Sequence, residues 1–298
     1  MNILSRFIVL SILSVMSVCP VVGQVVYPLW ETTPPTDNGL TGPETTDNCP
    51  GNISEASLTV LRPTGANSNG AAVLVIPGGA YWVVCDDHEG RAVADWLVDL
   101  GYTVGVLKYR LPNGHLDVPL QDAQQALRFM RGQAEFWELD ASRIGVLGFS
   151  AGGHLASSVG THFESDYSHG KGDLLDVSNR PDFMVLVYPV ITLSKEYGHA
   201  FSRTNLLGEN PDRSTIERYS NHLHVDENTP PTILIHSNDD TAVHPFNSVK
   251  FYTSLVTSSV PAEMHIFNSG GHGYGLDPNS GSSEWTQLVA NWMSILIN

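Results

Sequence analysis

The sequence predicts an α/β domain with a mostly parallel central sheet and helices on both faces. Three observations predict it. Short continuous apolar runs without polar alternation, such as Ala72–Ile76 (AVLVI), residues 144–147 and residues 232–236, have the pattern of strands buried on both sides. Stretches with apolar residues three and four apart, the spacing of amphipathic helices, lie between those runs. The 298 residues contain no internal repeat and no second apolar core, which suits one large domain of this class.

The elements follow in order. Residues 1–23, MNILSRFIVLSILSVMSVCPVVG, carry a single charge at Arg6, an apolar run from Phe7 to Val18, and Val21 and Gly23 ahead of Gln24, the pattern of a secretory signal cleaved after Gly23. About 12 apolar residues fall short of the roughly 20 that a spanning helix needs. Residues 24–56 are rich in Pro, Thr, Gly and Asn with no period of 2 or 3.6, so they are expected to form an extended arm laid over the domain. The domain itself occupies residues 57–298. Its strands are expected at Ser57–Leu61, Ala72–Ile76, 102–107, 144–147, 183–187, 232–236 and 264–267. Its helices are expected over 89–100, stopped by Gly101, around Leu120, Ala123, Ala126, Leu127 and Met130, after residue 150, and over the closing stretch from Trp285 to Ile297. Two stretches, 161–180 and 191–229, break the alternation and are candidate substrate-binding walls or inert decoration.

One strand of this series carries a chemical signal. Residues 144–147 run into Gly148-Phe149-Ser150-Ala151-Gly152 and then into a helix. A Gly-x-Ser-x-Gly pattern by itself matches by chance in roughly 3 of 10,000 windows, so a chain this long has one about a tenth of the time. Between a strand and a helix it is a nucleophile elbow, a sharp turn that lifts Ser150 clear of the sheet. The two glycines are expected where a side chain would strike the neighbouring strand and helix. The turn also aims the Ala151 amide at the place where a tetrahedral oxyanion would form.

A serine hydroxyl needs a base and a residue to orient that base. In such a fold both come from the ends of later strands, acid first. Strand 232–236 runs out into Asp239 and Asp240, either of which could be the acid or a turn-former. Strand 264–267 runs out into a glycine-rich loop with His272, the expected base. Pro77-Gly78-Gly79-Ala80-Tyr81 follows a strand where a second oxyanion donor is required, and the Gly79 and Ala80 amides are the candidates. The acids and histidine at 86–89 are read as leading into the next helix; without paired His or Cys spacing no metal is expected. His154, one turn beyond the serine, is read as a packed helix residue.

Composition narrows the partners. With 15 Lys+Arg against 31 Asp+Glu the net charge is −16, which repels nucleic acid and anionic lipid and leaves neutral substrates unopposed. Beyond the signal only Cys49 and Cys85 remain; export permits a disulfide between them, and two free thiols are the alternative. Asn52-Ile53-Ser54 matches a glycosylation acceptor.

From about Thr59 onward the chain resembles the bifunctional feruloyl and acetyl-xylan esterases of the α/β-hydrolase superfamily. The resemblance rests on VIPGGAYW and HEG, LKYRLP at 107–112, PLQDAQQALRFMR at 119–131, GFSAGGHLA, SNDDTAVHPFNS and GGHGYG. It implies an α/β-hydrolase fold, Ser150 as nucleophile, Asp240 as acid through the Asp-x-x-Val spacing to Val243, and His272 as base. It further implies an esterase that acts without cofactor on acetyl groups, with feruloyl groups as a second class, of acylated plant cell-wall polysaccharide such as xylan; the signal pattern of residues 1–23 adds the expectation of a secreted or periplasmic location. The sequence departs at Ala80, where the family usually has a third glycine. If that position needs a positive φ, alanine costs roughly 1 kcal/mol. The competing expectations are a short-chain lipase or a peptidase of the same superfamily, and a hydrolase-like binding protein without chemistry. The first would carry an apolar lid, the second a propeller domain, and the third would tend to lack the histidine.

Overall fold

The computed structural model describes residues 23–45, 47–64, 67–163 and 174–297. Residues 1–22 of the expected signal, and 164–173 of the first irregular stretch, lie outside the described residues. No described helix is long and apolar enough to cross a membrane.

The expected α/β fold is present. Among the described residues eight strands, numbered in chain order with the ranges that follow, form one sheet in the order β1-β2-β4-β3-β5-β6-β7-β8. They are β1 (Gln24–Pro28), β2 (Ser57–Leu61), β3 (Ala72–Ile76), β4 (Thr103–Lys108), β5 (Ile144–Phe149), β6 (Met184–Val187), β7 (Thr232–Ser237) and β8 (Ala262–Phe267). β1 and β2 pair antiparallel, β2 joins β4 antiparallel, and every pairing from β4 through β8 is parallel. The helices are α1 (Ala92–Asp99), α2 (Val118–Gly132), α3 (Ala134–Trp137), α4 (Ser150–Thr161), α5 (Ala200–Leu207), α6 (Arg213–Arg218), α7 (Phe246–Thr257) and α8 (Trp285–Ile297).

The unbroken apolar strands have a direct physical cause: each faces two cores. On β3, Ala72, Leu74 and Ile76 join a cluster with Leu127 and Met130 of α2, Leu155 of α4 and Phe251 of α7. Val73 and Val75 point the other way, into a cluster with Val93 and Leu97 of α1 and Trp285, Val289 and Met293 of α8. A strand covered on both faces has no solvent side on which to place polar residues.

Several expectations need correction. The arm begins as a strand, β1, paired along its whole length with β2. Its side chains are mostly exposed, so the pairing rests on backbone hydrogen bonds, which leave no hydrophobic period to read. The helix expected over 89–100 opens with a π-helical turn, Asp87–Arg91, and continues as α1. Stretch 191–229 is not plain loop, since it contains α5, α6 and a 3₁₀ turn at Asn221–Leu223. The strand at 264–267 starts earlier, and β8 is an edge strand whose residues are only partly buried or exposed. Asn52 Nδ2 donates to the carbonyls of Thr41 and Pro43 at 3.0 and 2.9 Å.

The arm is anchored by charge. Asp122, fully buried on α2, accepts from the Arg110 amide at 2.8 Å, from Arg110 Nε and Nη2 at 3.0 and 2.7 Å, and from Trp30 Nε1 of the arm at 2.7 Å. Arg110 Nη1 donates in turn to the Thr36 carbonyl. Removing one partner of such a pair strands a buried charge. Asp122→Ala is therefore expected to cost about 3–5 kcal/mol, read by urea unfolding. A loss under about 1 kcal/mol would mean that water reaches Arg110 and that this network does not hold the arm.

Candidate active site

The parallel strands bring the three sequence-predicted residues to one edge of the sheet. Ser150 stands at the end of β5, Asp240 three residues after β7 and His272 on the loop after β8. Ser150 Oγ lies 2.9 Å from His272 Nε2, and His272 Nδ1 lies 2.7 Å from Asp240 Oδ2. Because a carboxylate can only accept, Nδ1 carries the hydrogen, which leaves Nε2 as an acceptor facing the serine hydroxyl.

Local sequence explains each position. Ser150 has φ 51°, a left-handed conformation rare outside glycine, at the junction of β5 and α4. The turn closes only because its flanks are bare. A Cβ on Gly152 would sit 2.1 Å from the Ile76 carbonyl oxygen, and one on Gly148 would sit 2.4 Å from the Gly152 carbonyl oxygen. Asp240 is buried, and its Oδ1 accepts from the amides of Ala242 and Val243 at 2.9 and 2.8 Å. Burial acts to raise its pKa, but hydrogen bonds from His236, His272 and the Val243 amide outweigh this and hold the carboxyl well below the usual carboxylate range. The two acids are thereby told apart. Asp239 is exposed and accepts from the Gly271 amide at 2.8 Å, so it braces the loop that carries His272 rather than the imidazole itself.

The amides expected to face an oxyanion have the following surroundings. Ala151 is the second residue of α4, so its amide has no partner within the helix. Neither the Gly79 nor the Ala80 amide donates to another group among the described residues, whereas the Gly79 carbonyl accepts from Trp82 and Val83 at 3.0 and 3.1 Å. Ala80 has φ 56° and Tyr81 φ 60°, so the position where the sequence departs from the glycine pattern does carry a positive φ. The strain of an L-residue there is roughly 1–2 kcal/mol.

Sequence reasoning missed the residues that brace this set. Glu89, read as a helix-start acid, is buried behind the serine. Its Oε2 accepts from the Gly78 amide at 2.8 Å and its Oε1 from the Tyr188 hydroxyl at 2.9 Å. Tyr188 in turn accepts from the Gly275 amide at 3.1 Å and packs its ring 4.8 Å from that of His272. Burial and the Glu89 carboxylate push the Tyr188 pKa well above its ordinary value, which keeps the hydroxyl a donor. One carboxylate thus ties the amide-bearing turn to the histidine loop. The HEG sequence was the only signal, and nothing in it reveals burial. His236 sits beneath Asp240, with Nε2 3.3 Å from Oδ2 and 2.9 Å from the Val243 carbonyl. His199, at the start of α5, feels the charges of both His272 and Asp240 after burial has lowered its pKa.

His154 is a packed residue, as expected. Its Nε2 donates to the Tyr219 carbonyl and its Nδ1 accepts from the Tyr81 hydroxyl, both at 2.8 Å. Burial pushes its pKa down to about 4. In the unfolded chain an imidazole titrates near ~6.5, so between those values the unfolded state binds a proton that the native state refuses. Stability is then fully present above the unfolded value and falls as pH drops towards 4. For His154 alone the loss between pH 7 and pH 5 is ~2 kcal/mol, and burial places His162 and His222 at about 4 as well, adding in the same sense. Urea titrations at the two pH values should show it. Equal unfolding free energies would mean that His154 is not held neutral.

The fold and this site define a protein of the α/β-hydrolase class with a serine elbow. Comparison with known proteins carries the assignment one level further. The BD-FAE family model matches residues 58–255, and the chain belongs to that family. It is 34% identical over 213 residues to the acetylxylan esterase of Xylanibacter ruminicola, and 34% identical over 219 residues to endo-1,4-beta-xylanase B of Butyrivibrio fibrisolvens. These matches cover 70% and 72% of this chain but only 42% and 34% of those relatives, so the chain spans well under half the length of either. Among solved structures, an acetyl ester-xyloside bifunctional hydrolase from Caldicellulosiruptor lactoaceticus superposes with a TM-score of 0.80 at 39% identity, covering 91% of this chain and 96% of that one.

Proposed function

We propose that this chain is an exported serine esterase that removes acetyl groups from a neutral plant cell-wall polysaccharide such as xylan, with feruloyl esters as a second substrate class. The observation that carries the reading is the continuous hydrogen-bonded line from Ser150 through His272 to Asp240. As Ser150 Oγ attacks the acetyl carbonyl carbon, His272 Nε2 takes its proton, and Asp240 stabilises the imidazolium that forms. The carbonyl oxygen becomes an oxyanion facing the amides of Gly79, Ala80 and Ala151. Collapse breaks the ester bond, and His272 returns the proton to the departing sugar oxygen. Water then repeats the sequence on the acetyl-enzyme, releasing acetate and restoring Ser150. Every step uses side chains and amides of this chain, with no cofactor.

The acetylated-glycan reading is supported by a 34% identical relative named acetylxylan esterase and by the solved bifunctional neighbour. Export rests on the pattern of residues 1–23, and the substrate's neutrality on the net charge of −16. The test is kcat/KM on aryl acetate, butyrate and octanoate, beside acetate release from acetylated xylan. Acetate is expected to be preferred and to be released from the polymer, since each further methylene gains ~0.8 kcal/mol only where there is room to bury it. A preference for octanoate with no acetate released from any glycan would replace this reading with that of a lipase.

A further inference from the structure

A cleft of about 510 Å³ opens beside the serine edge without including Ser150, Asp240 or His272. Segments far apart in sequence build it: Leu40 and Asn52 of the arm, Trp82 after β3, Asn113 after β4, and Thr204 and Asn205 of α5. The Cys49–Cys85 disulfide joins the arm to the segment after β3, so these two walls are covalently held together. We propose that this cleft is a subsite for an uncharged oligosaccharide, holding the glycan whose acyl branch reaches Ser150. It rests on the esterase reading for the role of the serine, and on separate observations for the ligand.

Proximity follows from the chain itself. A Cβ on Gly78 would lie 2.9 Å from that of Ser150, and Trp82 is four residues further on, a reach of at most ~14 Å. Asn205 Nδ2 donates to the Ala80 carbonyl at 2.9 Å, so the cleft wall and the amide-bearing turn are one structure. A glycan in the cleft is therefore only a few sugar units from the serine.

The chemistry of the lining selects the ligand. Trp82, which lines the cleft, is 63% exposed, and Phe201 beside it is 50% exposed, with ring centroids 6.3 Å apart, so two exposed aromatic rings lie together at this wall. Flat aromatic faces suit the C–H faces of sugar rings. Asn52, Asn113 and Asn205 each commit Nδ2 to backbone carbonyls, which fixes the amide orientation, and no described residue donates to their Oδ1 atoms, the acceptors a ligand hydroxyl would use. Among the described residues no Lys or Arg lines the cleft and the one charged lining residue is the exposed Asp47, so an anionic ligand finds repulsion and no counter-charge there.

The experiment is calorimetric titration of the full chain bearing Ser150→Ala with deacetylated xylohexaose, an uncharged pentose hexamer. Trp82→Ala in that background is expected to weaken binding at least tenfold, and Trp82→Phe, which keeps an aromatic face, to restore it to within about threefold. Oligogalacturonate of the same length should bind at least tenfold more weakly than xylohexaose. Because Trp82 is largely exposed, each variant should keep the parent melting temperature. The subsite is overturned if xylohexaose does not bind the parent, if Trp82→Ala binds within threefold of it, or if oligogalacturonate binds as tightly. Aryl acetate hydrolysis by the unmutated chain is read separately. A chain that hydrolyses aryl acetate and binds no xylohexaose loses the subsite and keeps the esterase reading, while the reverse result keeps the subsite and removes the chemistry.

Discussion

Ser150→Ala should lower ester hydrolysis by roughly five to six orders of magnitude while leaving the fold intact. The size follows from what the serine does. Without Oγ no acyl-enzyme can form, and the remaining amides and base retain only a residual advantage over water. The fold is spared because, among the described residues, Oγ has a single hydrogen-bond partner, His272 Nε2. Alanine also has about the same difficulty at φ 51° as serine. Turnover of aryl acetate and the urea midpoint measured on the same preparation separate the two effects. A variant that kept more than a tenth of the parent turnover would remove Ser150 from the reaction.

Asp240→Asn should cost on the order of 10⁴-fold in kcat, with Asp239→Asn costing less than tenfold. The asymmetry comes from which atoms each acid faces. With Asn at position 240 the amides of Ala242 and Val243 still call for an oxygen, so the new NH₂ is turned towards His272 Nδ1. Nδ1 must then accept, the ring hydrogen moves to Nε2, and the imidazole presents a donor to Ser150 in place of a base. At position 239 the only demand among the described residues is an acceptor for the Gly271 amide, and an asparagine oxygen meets it. If Asp239→Asn proved the more damaging, the orienting role would move to that residue.

The reach of the sequence can be judged from particular residues. The elbow was legible because its requirements are local: a strand, two bare flanks and a helix occur within a dozen positions, and the close approaches of Gly148 and Gly152 agree with that reading. The choice between Asp239 and Asp240 was open to local reasoning, since both follow β7 in a turn, and only spacing within the resemblance favoured Asp240. The structure separates them by direction and burial. Strand β1 was illegible, because an edge strand held by backbone bonds with exposed side chains has no apolar period. Helices α5 and α6, the former bordering the cleft, were passed over as irregular for a related reason. They are short and bury few residues, so the period that marks α8 never develops.

By itself, then, the sequence determined the α/β class, where along the chain most strands fall, and Ser150 and His272 as candidates, because each follows from residues close together in the chain and from the need to bury apolar runs on two sides. The tertiary structure alone decided what Glu89, Tyr188 and Asp239 do, that Cys49 meets Cys85, and that the arm and α5 close a cleft beside the serine. These depend on contacts between segments tens of residues apart. A carboxylate in solvent and a carboxylate holding two loops together are written with the same letter, and burial, which separates them, is a property of the folded chain.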